Sequence, residues 1–139
     1  MIYLSGVTND RDEPPLIAAG IGLMLNAGNS YHLRVQRYPW WAADIVGINN
    51  RGNLDDRFDW LDKLPRDRCL FAVSPDDYPS AERSLARGLE YAGLIRDMGF
   101  PVAVVAQDGA ERLAWPWNEI DCLFIGGQRT PNPNAEWKI

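Results

Sequence analysis

CLFAVSPDDYPSAERSLARGLEYAGLIRDMGFPVAVVAQDG, residues 69–109, spells out one βαβ unit. Cys69–Val73 is a short apolar run that stops at Ser74-Pro75-Asp76-Asp77. Val102–Ala106 is a second such run, stopping at Gln107-Asp108-Gly109. Near-continuous runs of this length fit strands buried on both faces, as in a parallel sheet. Between them, Ser80 to about Met98 predicts a helix. Ser80 is a good N-cap, and Glu82 puts a carboxylate at the positive end of the helix dipole. Leu85, Leu89, Ala92 and Ile95 recur at helical spacing and form the expected apolar face. Gly99 supplies the stop, and Pro101 cannot extend the helix.

The same pattern continues outward. Ile2–Gly6, Gly20–Leu25, the weaker Ala42–Ile48 and Cys122–Ile125 are further candidate strands, making six in all. Leu54–Leu64 reads as a second helix with Leu54, Phe58, Leu61 and Trp60 inward. Glu13–Ala19 and Ala110–Ala114 read as short helical turns. Strands alternating with helices imply an α/β fold with a mostly parallel sheet. No internal repeat appears. Residues 1–139 read as a single domain, and residues 128–139, with two prolines and two asparagines, as its irregular tail.

Composition removes several classes. Lys and Arg number 14 against 19 Asp and Glu, for a net charge of −5. An acidic chain without a basic block is not an obvious electrostatic binder of nucleic acid. No apolar run reaches the roughly 18–20 residues of a membrane span, so no membrane partner is expected. The N-terminus lacks the basic flank and long apolar stretch of a signal peptide. Cys69 and Cys122 each sit in an apolar run and read as buried thiols of a cytoplasmic protein. A single histidine, His32, with no close Cys/His spacing excludes a structural zinc site. No nucleotide-binding glycine motif occurs, and no cofactor is expected.

In parallel α/β folds the site forms at the carboxyl ends of the strands. There the chain places Asn26/Gly28/Asn29, Asp44, Asp76/Asp77, Gln107/Asp108 and Gly126/Gly127. Acids, amides and glycines suit a donor-rich heterocycle, with carboxylates for acid–base work. Each has a plainer reading. Asp44, in an apolar stretch, serves function or a structural hydrogen bond. Asp76 serves function or the turn into the helix. Gln107 serves function or the strand-end turn at Asp108-Gly109. Gly126-Gly127 turns the chain or lets backbone approach a ligand. Trp40-Trp41, Trp115 and Trp117 read as packing residues rather than stacking platforms, and His32 as a surface or boundary residue.

The order of short motifs carries a resemblance. These are Ala42-Ala43-Asp44, Ala72–Asp76, Met98–Pro101, Val105–Gly109, Pro116–Gly127 and Glu136-Trp137-Lys138. Together they resemble phage and bacterial proteins of the queuine/archaeosine tRNA-guanine transglycosylase type, including the branch that places 7-deazaguanines in DNA. The resemblance implies a (β/α)8 TIM-barrel enzyme exchanging guanine for a 7-deazaguanine base (a queuosine-type modification). It implies that Asp44 handles protons on the leaving and entering bases. Asp76 would read the N1–H and 2-amino edge of the purine. Gln107 would contact the base carbonyl oxygen, and the backbone of Gly126 and Gly127 the same oxygen. The family's zinc-binding cysteines are absent here, and Ile45-Val46-Gly47 replaces its usual small, polar segment after the aspartate.

A whole barrel takes about 250 residues. The expectation is therefore a partial (β/α)8 barrel of about six strands, the N-terminal portion of a transglycosylase-like barrel. The resemblance places the nucleophilic aspartate on a later strand, beyond Ile139, so base recognition without activity is expected of this chain alone. The expected partners are guanine or a 7-deazaguanine base, with DNA or tRNA as the polynucleotide. Exposed sheet edges predict homo-oligomerisation or marginal stability. Two other readings stay open. One is a compact nucleoside deoxyribosyltransferase-like enzyme, for which Glu90 is the candidate nucleophile. The other is a non-catalytic nucleobase-binding module.

Overall fold

Each foreseen apolar run is a strand in the computed structural model, which describes residues 1–6, 9–27, 32–45 and 53–126. They are β1 (Leu4–Ser5), β2 (Gly22–Asn26), β3 (Trp41–Asp44), β4 (Cys69–Val73), β5 (Val102–Ala106) and β6 (Cys122–Ile125). Between them lie α1 (Glu13–Ala18), α2 (Leu54–Asp62) and α3 (Ala81–Asp97). A 3₁₀ turn covers Ala110–Arg112, and another, unforeseen, covers His32–Arg37. Gly127 and the 128–139 tail lie outside the described residues, as does the side chain of His32.

The six strands pair in chain order, β1-β2-β3-β4-β5-β6, every pair parallel. A doubly wound sheet breaks that order at a switch point. Here no break occurs, and the sheet curls into a half-barrel, a partial α/β barrel. One face joins the helices in a single core that includes Leu23, Leu25, Trp41, Ala43, Val102 and Val104 with Phe58, Leu61, Ala92 and Ile95. The other, concave face carries Val73, Ala103 and Val105, flanked by Met24, Phe71, Cys122 and Phe124. β5 is buried on both faces, as its VAVVA run requires. One extra residue in β4 shifts the register: Trp41 pairs with Cys69, but Ala43 pairs with Ala72. This bulge lets Cys69 pack toward the helices and Phe71 toward the concave face.

The helix ends follow the sequence signals. Ser80 Oγ accepts from Arg83 N–H at 3.3 Å, and Asn53 Oδ1 accepts from Asp55 N–H at 3.2 Å. Gly99 has φ +89, its N–H donates to Arg96 C=O at 2.8 Å, and Phe100 N–H donates to Ile95 C=O at 3.2 Å. Those two bonds close a Schellman motif, which calls for the left-handed conformation that glycine adopts freely.

The inward face of α3 differs from the expected one. Its buried residues are Ala81, Ser84, Gly88, Ala92 and Ile95, while Leu85 and Leu89 pack only at the margin of the core. The cause is proximity to β5. A Cβ on Gly88 would stand 2.7 Å from Val104 Cγ1 and 2.9 Å from Ser74 Oγ. At that point of the helix there is no room for a side chain.

Trp41 is fully buried, bonded through its ring N–H to Asp67 C=O at 2.9 Å, and meets Phe100 edge-on. Trp115 packs at the core margin, whereas Trp40 and Trp117 are exposed. The cysteines are free thiols and only partly buried, which corrects the expectation of buried thiols. Neither strand is covered throughout: Cys69 opens β4 and Cys122 lies on the outermost strand of the sheet. Burial still pushes the Cys69 thiol up to about 12, and burial together with Asp121 raises Cys122. No helix among the described residues is long and apolar enough to cross a membrane.

Candidate functional site

Four of the five singled-out residues stand at the carboxyl ends of β3, β4, β5 and β6. Asp44 is the last residue of β3, level with Asn26 on β2 and Val73 on β4. It is partly buried. Its Cβ direction follows from the alternation of a strand: Ala43 belongs to the helix-side core, so Asp44 lies on the concave face.

Beyond β4 the chain is tied on both sides of Asp76. Ser74 is buried; its N–H and Oγ both donate to Ala103 C=O, at 2.8 and 3.1 Å. Asp77 N–H donates to the fully buried Ser84 Oγ at 3.0 Å, and the Asp77 carboxylate pairs with Arg83 Nε at 2.9 Å. The helix-entry contacts thus fall to Asp77. Asp76, between these ties, meets Gln107 instead. Gln107 Nε2 donates to Asp76 Oδ2 at 2.6 Å, joining positions 31 residues apart. A carboxylate only accepts, so the amide nitrogen must be the atom that faces it.

Gln107 directly follows β5 and is 4% exposed. Its backbone carbonyl accepts from Ala110 N–H at 3.0 Å, so Gln107 also opens the turn through Asp108 and Gly109, where φ is +93. Both readings of Gln107 hold at once: its backbone makes the turn and its side chain reaches Asp76. Gly126 directly follows β6. A Cβ built there would stand 3.0 Å from Gln107 Oε1 and 3.1 Å from Val105 Cγ1. The Gly126 N–H is already engaged, donating to Ala106 C=O at 2.9 Å. It therefore extends the sheet ladder, and this N–H is not a bare donor.

Compared with known proteins, the chain matches no family model, no curated protein and no solved structure. The site is read from its own atoms.

Its electrostatics are those of a partly dried carboxylate pair. Burial raises the proton affinity of Asp76, the Gln107 hydrogen bond lowers it, and the charge of Asp44 raises it again. Arg87 on α3 acts in the lowering direction. The net result is a pKa above the ordinary 3.8. Two carboxylates, one bonded to an amide and one beside it, make an acceptor-rich end to the concave face. No group of three or more His, Cys, Asp or Glu among the described residues could hold a metal ion. Glu90, the alternative nucleophile, is exposed on α3. Sequence reading missed Ser74 and Ser84, which hold the Asp76 segment. Their only signal is position: a serine directly after a strand, and one four residues after an N-cap.

Proposed function

We propose that the carboxyl end of β3–β6 binds guanine or a 7-deazaguanine base. On this reading the chain is the base-recognition side of a transglycosylase-like protein that acts on DNA or tRNA. The observation that carries it is the 2.6 Å bond from Gln107 Nε2 to Asp76 Oδ2. That bond sets two carboxylate acceptors beside an amide donor. Guanine presents the complement in a row: a 2-amino donor, an N1–H donor and a carbonyl acceptor. Asp76 would accept the two donors, a charge-assisted pairing in a partly dried site. An amide nitrogen carries two hydrogens. One is given to Asp76, and the other would meet the carbonyl oxygen. Adenine offers a different edge and is expected to be rejected, since it would leave these groups unpaired.

Asp44 is the proposed proton carrier for leaving and entering bases, its charge standing near enough to raise the proton affinity of Asp76. The exchange itself follows the logic of retaining glycosidases, with a carboxylate attacking the anomeric carbon. The residues here are assigned recognition and proton transfer, not that attack.

Titration calorimetry with guanine and 7-cyano-7-deazaguanine, and adenine as control, tests the reading. Binding of the first two, weakened about tenfold or more by Asp76→Ala, is expected. No purine binding by well-folded protein overturns it. Labelled guanine offered with DNA or tRNA then separates binding from exchange, and this chain alone is expected to bind without exchanging. Base exchange on free nucleosides would favour the deoxyribosyltransferase-like alternative.

A further inference from the structure

Gly126 raises a question of its own. Its φ is outside the left-handed region, where Gly20, Gly99 and Gly109 lie, so its backbone does not demand glycine. Its N–H is taken up by Ala106 C=O, so it does not serve as a bare donor. What favours glycine is its surroundings: Gln107 Oε1 at 3.0 Å, Val105 Cγ1 at 3.1 Å and Gln107 Cδ at 3.3 Å from where a Cβ would stand, close enough that a neighbour has to give by a few tenths of an ångström. Two of those three atoms belong to the side chain that bonds Asp76.

We propose that Gly126 is a positioning residue for Asp76 and acts through Gln107. The space left by its missing side chain is where the Gln107 carboxamide lies as it reaches across to Asp76. β6 thereby takes part in the site through Gln107. The consequence for base binding rests on the function proposed above; the positioning itself does not.

Val105 is β-branched and 6% exposed, so it has little freedom to yield. Gln107 is 4% exposed and already held at its nitrogen. A side chain at 126 therefore has to shift the amide, by a few tenths of an ångström for the Cβ alone. Alanine adds one carbon against Oε1. Valine adds carbons in the volume that Oε1 and Cδ fill, and expels the amide. Gly126 follows the last paired residue of the outermost strand described, and alanine or valine there keeps the N–H that donates to Ala106 C=O, so the substitution leaves the bonds between β5 and β6 in place.

Displacement has a readout that packing damage alone would not give. Among the described residues, the charged groups acting on Asp76 are Asp44 at the end of β3 and Arg87 on α3, while β5 presents the neutral amide and β6 the glycine. The Gln107 bond favours the ionised form of Asp76 against burial and Asp44. Loss of that bond moves the Asp76 titration upward.

The experiment is a carboxyl-carbon NMR titration of Asp76 in ligand-free protein. It compares wild type with Gly126→Ala, Gly126→Val, Gln107→Ala and the Gly126→Val/Gln107→Ala double variant. The midpoint is expected to rise in Gly126→Val to the level of Gln107→Ala, to rise less in Gly126→Ala, and to move no further in the double variant. An unmoved midpoint in folded Gly126→Val overturns the proposal, as does a further rise in the double variant. Should Gly126→Val not fold, a rise in both Gly126→Ala and Gln107→Ala supports it, and an unmoved Gly126→Ala overturns it. With guanine as probe, Gly126→Val is expected to bind about tenfold more weakly. A wild type that binds no purine, with the titration shifts intact, removes the base-binding reading and leaves the positioning role standing.

Discussion

Alanine at Gly88 and alanine at Gly93 are the same substitution in one helix, and the structure gives them opposite signs. Gly88 is buried, and an added Cβ would stand 2.7 Å from Val104 Cγ1 and 2.9 Å from Ser74 Oγ. Neither neighbour can retreat. Val104 is fully buried and β-branched, and Ser74, 1% exposed, is bonded to Ala103 C=O. Overpacking of this kind costs about 1–3 kcal/mol. Removing a glycine from a helix interior returns up to about 1 kcal/mol. The net expectation for Gly88→Ala is a loss of up to about 2 kcal/mol, a fall in Tm of up to about 7 °C for a chain of this size. Gly93 is exposed with nothing within 4 Å of its would-be Cβ, so only the helix term acts. Gly93→Ala is expected to gain about 0.5–1 kcal/mol. Urea denaturation followed by tryptophan fluorescence measures both, since Trp41 reports the core. If the two variants shift stability in the same direction, α3 does not lie on β5 as described, and the bond from Asp77 N–H to Ser84 Oγ loses its basis.

Asp76→Asn is expected to stabilise the folded protein at neutral pH. The folded pKa of Asp76 is raised above its ordinary 3.8, so the folded state holds the proton more tightly than the unfolded chain. Its contribution to stability is full below that ordinary value and is lost as pH rises through the folded value. Removing the charge abolishes that loss, so the gain of Asp76→Asn should fade on acidification. A gain that is independent of pH in paired denaturation curves would argue against the raised pKa. Ser84→Ala strips the partner from Asp77 N–H and is expected to cost about 1–2 kcal/mol. It should also speed amide exchange at Asp77, and unchanged protection there would refute the tie.

Local signals in the chain were read correctly where the physics is local. Ser80 caps α3 through its own hydroxyl, and Gly99 ends it by taking a conformation other residues resist. The apolar runs are strands, short and β-rich, and a parallel sheet buries both faces of VAVVA. The most buried line of α3 is turned from its leucines toward Ser84 and Gly88 for the converse reason. Leu85 and Leu89 are the larger apolar residues, but a helix buries what its neighbour leaves room for. Here Val104 and Ser74 leave room for Gly88. The hydroxyls of Ser74 and Ser84 went unread because each serves a carbonyl or amide on another element.

The sequence alone determined the strands, the helix ends and the strand-end positions of Asp44, Asp76, Gln107 and Gly126, because periodicity, capping and chain order are properties of neighbouring residues. Tertiary structure alone decided that Asp76 and Gln107, 31 positions apart, share a hydrogen bond and that Gly126 makes room for it. Those facts depend on the register between parallel strands and on how closely β6 approaches the residue after β5. Register between strands joined by long crossovers follows from how a whole sheet packs against its helices, and no stretch of sequence carries it.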